Sequence, residues 1–112
     1  MWKNNFKEGK ELLLATCFED VPNANVVISL GFIDDKLLIA DSQMNQTLKN
    51  LKSNNKICIV SKYIRLKGKV EIFSSGKYFD LCNEKDKEYP TKNAILVTVE
   101  EVFDLDKVKL VE

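Results

Sequence analysis

The chain has 112 residues, 45% apolar and 30% charged, with seventeen basic side chains balancing seventeen acidic ones and no histidine. That balance describes one packed domain, 1–112, and its zero formal charge gives no bulk attraction to nucleic acid or an anionic membrane. Without imidazole, hydrolases that use a histidine base and most zinc enzymes are excluded, so any redox chemistry has to come from a bound cofactor.

The opening residues 3–10 read as a short amphipathic helix, with Trp2 and Phe6 one turn apart and packed onto the domain. The apolar run that follows is far shorter than the roughly 20 residues a bilayer-spanning helix needs, and too short for a secretory signal, so the expected location is the cytoplasm. ELLLATCF (11–18) reads as a strand, EDVPN as a turn, and the β-branched stretch 25–33 as a second strand, with Gly31 marking a bulge. Asp34 and Asp35 make a tight connection into a third strand, KLLIAD.

In residues 39–55, IADSQMNQTLKNLKSNN, the strand ends, a polar break follows, and Met44, Leu48 and Leu51 form one apolar stripe on a helix capped by Asn45 or Ser42. KICIVSKY (56–63) is a fourth strand. RLKGKVEIFS (65–74) is a fifth, in which Leu66, Gly68, Val70 and Ile72 alternate with Lys67, Lys69 and Glu71 to leave one face wet. The basic strip of Lys62, Arg65 and KGK reads as solvated surface. A second helix over 76–87 ends near Pro90, its EKDKE run solvated, and residues 93–106 form a long last strand that KVKLVE extends or pairs with. Six or seven mostly antiparallel strands in so short a chain need their edges hidden, which predicts a small split or closed β-barrel with two or three short helices. The odd, widely spaced Cys17, Cys58 and Cys82 fit reduced thiols, with Cys17 and Cys58 expected in the core.

The mouth of the first helix is the chemical feature of this pattern. Its unpaired N–H groups and partial positive charge suit a phosphate, with Thr47 adding a hydroxyl and Asn45, Gln46 and Asn50 adding amides. The alternative is that Asn45 caps the helix and Thr47 fills its first turn.

The order LATCFEDVPNANVV, MNQTLKNL, KSNNKICIV, then RLKGKVEIF and AILVTVEEVFDLD, resembles the pyridoxamine 5'-phosphate oxidase-like family of FMN-binding split barrels over residues 10–106, most closely its short members. The resemblance implies a cytoplasmic homodimer with one FMN per subunit at the junction of two barrels. By position, Val26, Val27, Ile28 and Ser29 would line the isoalloxazine ring, and Ala40, Asp41, Ser42 and Met44 would pass beside the ring and ribityl chain. Gln46 and Thr47 would meet the phosphate, and Tyr89 and Tyr63 of the partner would close the site. It implies an oxidoreductase or electron-transfer flavoprotein with a small-molecule partner; the alternative is a non-catalytic binding module that has weakened or lost its flavin. Similar members carry Lys or Arg where Gln46 stands, a loss of about 1–2 kcal/mol in phosphate binding unless Lys49, Lys52 or Lys62 compensates. True pyridoxamine phosphate oxidase activity is not expected: such enzymes look longer and bring Arg and His to the substrate, whereas this chain has no histidine and only Arg65.

Overall fold

In a computed structural model that describes residues 1–42 and 44–111, pairs of acidic residues set the first two hairpins. Glu19 and Asp20 (φ 50° and 63°) and Asp34 and Asp35 (φ 53° and 63°) are left-handed, the backbone a two-residue hairpin loop requires. Strand β1 (Glu11–Phe18) therefore runs straight into β2 (Val21–Ile28), with Cys17 opposite Pro22 and Glu11 opposite Ile28. This corrects the expected 25–33 strand at both ends. Pro22 joins β2 because the strand lies at the sheet edge, where a residue without an N–H is tolerated. At the other end Gly31 (φ 91°) turns the chain into a separate β3 (Phe32–Ile33). Gly31 is thus in a connection, and the register shift sits instead between Lys67 and Gly68.

The remaining elements are β4 (Lys36–Asp41), α1 (Asn45–Ser53), β5 (Lys56–Ser61), β6 (Ile64–Phe73), α2 (Lys77–Lys85), β7 (Asn93–Asp104) and β8 (Lys109–Leu110), preceded by a 3-10 turn at Trp2–Phe6. The fold is mainly β. One antiparallel sheet of eight strands runs β2-β1-β5-β6-β7-β4-β3 with β8 on β7, and it does not close. Six or seven strands were expected; β8 is the pairing of KVKLVE back onto the last strand, and β3 is a two-residue piece too short for periodicity to reveal. No helix among the described residues is long and apolar enough to cross a membrane.

Alternation along β1 and β6 puts Leu12, Leu14, Leu66 and Val70 inside, where they join Phe6 of the 3-10 turn and Leu51 of α1 in the main core. The central strands β4 and β7 are covered on both faces, so Leu37, Leu38, Ile39, Ile95, Leu96 and Val97 are all buried. The second face is sealed by α2 through Cys82, Tyr78 and Phe79. Cys17 and Cys58 do not enter the core as expected. They share the outward face of β1 and β5 with Leu13 and Val60, because their strand positions have the opposite parity from the inward Leu12 and Ile59.

Cys82 is the buried thiol, its Sγ 3.9 Å from the Ile39 carbonyl oxygen. Burial pushes its pKa from the usual 9.0 up to about 11. The unfolded chain loses this proton at lower pH than the folded one, so the contribution is constant below about pH 9. Above that, stability falls as pH approaches about 11, by up to ~1.4 kcal/mol per unit. Denaturant titrations at about pH 8 and about pH 10.5 are expected to show this loss, and Cys82→Ala to remove most of the difference.

Candidate functional site

The edge of the sheet and the mouth of α1 meet at a cleft of about 840 Å³. Consecutive residues 24–30 line it, although alternate side chains of β2 point to opposite faces, so its wall is the strand's edge. As the last strand in the order, β2 offers there main-chain N–H and C=O groups that a neighbouring strand would otherwise use. Ala40 of β4, with Ser42 and Met44 from the link between β4 and α1, also lines the cleft.

Of the residues expected to hold a cofactor, Val26, Val27, Ile28, Ser29, Ala40, Ser42 and Met44 line this cleft, while Asp41, Gln46 and Thr47 lie outside its lining. Ser29 is buried; its hydroxyl donates to the Phe6 carbonyl at 2.7 Å and accepts from the Gly31 N–H at 3.0 Å, which ties the 3-10 turn to the end of β2. Thr47 is 1% exposed, and its Oγ1 accepts from the side-chain amides of Asn23 (2.8 Å) and Asn25 (2.7 Å). Asn50 donates to the Thr16 hydroxyl at 3.0 Å and accepts from the Gln46 amide at 2.8 Å. This polar seam pins α1 to the inner face of β1 and β2. Thr47→Val would leave two amides without their acceptor and is expected to cost about 1–3 kcal/mol. Thr47→Ser, which keeps the oxygen, is expected to stay near the parent in a urea melt.

Asp41, 1% exposed, governs the entrance to α1. One carboxylate oxygen accepts from the Met44 N–H and the other from the Asn93 amide, both at 2.9 Å. This corrects the expected cap: the side chain that meets the helix start is Asp41, at the end of β4, and neither Asn45 nor Ser42 makes such a bond. A buried carboxylate suits that position because it meets the positive end of the helix.

Apart from Tyr89, the rim of the cleft was not legible in the sequence. Glu8, Lys85, Asp86, Glu88 and Tyr89 line it. Lys85 Nζ donates to Glu8 Oε1 at 2.7 Å across 77 residues of chain. Asp86 accepts from the Glu88 and Tyr89 N–H groups at 3.2 and 3.3 Å, folding the turn that presents Tyr89. The run EKDKE had read as solvated surface, and nothing in its local pattern marks it for a site. Lys49, Lys52 and Lys62 are not part of the lining, and Lys85 is its basic residue. Tyr63 projects from the turn between β5 and β6, 67% exposed and away from the cleft lining, whereas Tyr89 meets the cleft of its own chain.

Among known proteins, the sequence profile of the pyridoxamine 5'-phosphate oxidase family matches residues 4–106. An uncharacterized protein of Methanocaldococcus jannaschii is 29% identical over 111 residues, an alignment spanning 88% of this chain and 74% of that protein. The crystal structure of HupZ from Group A Streptococcus superposes with a TM-score of 0.81 at 24% identity, covering 91% of this chain and 90% of that one. An FMN-binding protein of Syntrophomonas wolfei superposes with a TM-score of 0.68 at 18% identity, covering 90% and 79%. At these identities the structural likeness is one of fold.

Proposed function

Because the chain belongs to the pyridoxamine 5'-phosphate oxidase family, we propose that it binds a flavin ring in the cleft beside β2 and serves a small-molecule partner as an oxidoreductase or electron carrier. The observation that carries this reading is the cleft wall itself. A flavin ring is flat and apolar on its faces and is edged by hydrogen-bond donors and acceptors. The cleft pairs the apolar Val27, Ala40 and Met44 with the main-chain edge of β2, and Tyr89 stands at its rim. The FMN-binding protein of the same fold supports the reading. When bound, such a cofactor supplies hydride or electron transfer; the chain's own residues bind and orient it and limit its contact with water.

FMN is the cofactor the resemblance implies, and its two halves fare differently. The cleft's volume and its mix of apolar side chains and main-chain groups support the ring half. Against the phosphate half, the Thr47 side chain is buried and bonded to Asn23 and Asn25, and the exposed Gln46 amide donates to Asn50. That engaged corner favours the second reading, a binding module on the same barrel that has weakened or lost its flavin.

Homodimerisation is part of the proposal. Leu13 and Val26, opposite one another in the β1–β2 ladder, are 43% and 66% exposed, and Ile28, on the same face, is 49% exposed. An apolar sheet face of this kind, continuous with the cleft, calls for a cover. A second copy would provide it and complete the ring site. Unpaired thiols at Cys17, Cys58 and Cys82 support a cytoplasmic location.

The test is an absorption spectrum of the freshly purified protein, followed by titration with riboflavin and FMN. The expected result is saturable binding of at least one, with a shift in the flavin bands. A protein that stays colourless and quenches neither ligand's fluorescence sinks the flavin reading and leaves the binding-module alternative.

A further inference from the structure

We infer that this cleft selects a ring ligand with an uncharged tail over its phosphorylated form, so that riboflavin binds more tightly than FMN. The inference rests on the flavin reading and concerns what the tail meets. Three carboxylates line the cleft, at Glu8, Asp86 and Glu88, against the single ammonium of Lys85. That ammonium is already held by Glu8 at 2.7 Å. A phosphate dianion entering the cleft therefore meets a surplus of negative charge.

Among the described residues, the helix mouth is only a weak counterweight. The carboxylate of Asp41 is already seated there on the Met44 N–H, a built-in anion occupying the field that would attract another. The Thr47 hydroxyl faces the Asn23 and Asn25 amides, and the Gln46 amide is turned toward Asn50. A ribityl tail carries hydroxyls alone, and it hydrogen-bonds to carboxylates and to main-chain groups without a Coulombic penalty.

The experiment is calorimetric titration of the full chain with riboflavin and with FMN at two salt concentrations. At low ionic strength riboflavin is expected to bind several-fold more tightly than FMN. The gap should close as the Debye length falls from about 30 Å at 0.01 M to about 3 Å at 1 M. Glu88→Lys reverses one exposed charge on the rim and is expected to shift the ratio of affinities toward FMN by about ten-fold. Glu8→Gln, which removes a carboxylate and frees Lys85, should shift it the same way by less.

FMN binding ten-fold tighter than riboflavin to the parent chain at low salt would overturn the inference, as would a ratio that Glu88→Lys leaves unmoved. Either result would leave the flavin reading standing. If neither ligand binds, the flavin reading falls and takes the inference with it.

Discussion

Gly68→Ala is expected to lower the stability of the fold by about 3 kcal/mol, the scale of an overpacked core position. Gly68 occupies an inward position of β6 between Leu66 and Val70, where the alternation calls for an apolar side chain. The side chain is missing because β7 comes in too close: the register shifts here, Lys67 facing Glu101 and Gly68 facing Val99, so Glu100 is the extra residue. That shift brings the Thr98 carbonyl oxygen to the spot a Cβ would occupy, with Val97 Cγ1 3.3 Å away. Main chain on one side and a filled core on the other leave nothing flexible to give way. In a domain of this size the loss corresponds to a fall in Tm of roughly 10–20 °C. Gly76→Ala provides the control. At φ 95° it is strained, but open space surrounds its Cβ position, and it is expected to cost only about 1 kcal/mol. Equal melting temperatures for the two variants would show that the close approach of β6 and β7 carries no such energy.

Val26→Asp is expected to convert the proposed homodimer into a monomer while leaving the fold intact. The residue is 66% exposed on its own chain, so a carboxylate there stays hydrated in the monomer. In the proposed dimer it would be buried against the partner, and two-fold symmetry would introduce the charge twice. We expect the dissociation constant to rise at least a hundred-fold, about 3 kcal/mol. Sedimentation or light scattering reads this as a change from twice the chain mass of 12.8 kDa to that mass itself. Circular dichroism should remain that of the parent. A parent chain that is monomeric at high concentration, or a variant that stays dimeric, would remove the β1–β2 face as the interface. Flavin affinity should fall along with the dimer, because the ring site would lose the wall its partner supplies.

Local chemistry made much of the fold readable. Paired acidic residues at 34–35 announced a hairpin because that backbone suits them, and the alternation in β6 announced its wet and dry faces. The single apolar stripe of α1 announced the side that Leu51 buries. Where the reading erred, the cause was a partner the sequence did not name. Pro22 was taken for part of a turn because its tolerance depends on β2 being an edge strand. Cys17 and Cys58 were taken for core because an apolar run does not say which parity faces inward.

By itself, the sequence determined a mainly β fold with its principal strands and helices, since periodicity and turn preference act over a few residues, while the stretches that border the cleft followed from the family resemblance. Tertiary structure alone decided what those stretches could do chemically. It turned Thr47 toward Asn23 and Asn25, seated Asp41 beneath α1, and brought Lys85 onto Glu8 from 77 residues away. Charge and hydrogen-bonding capacity belong to a residue, but whether they are free to meet a ligand depends on which distant group folding has already placed against them.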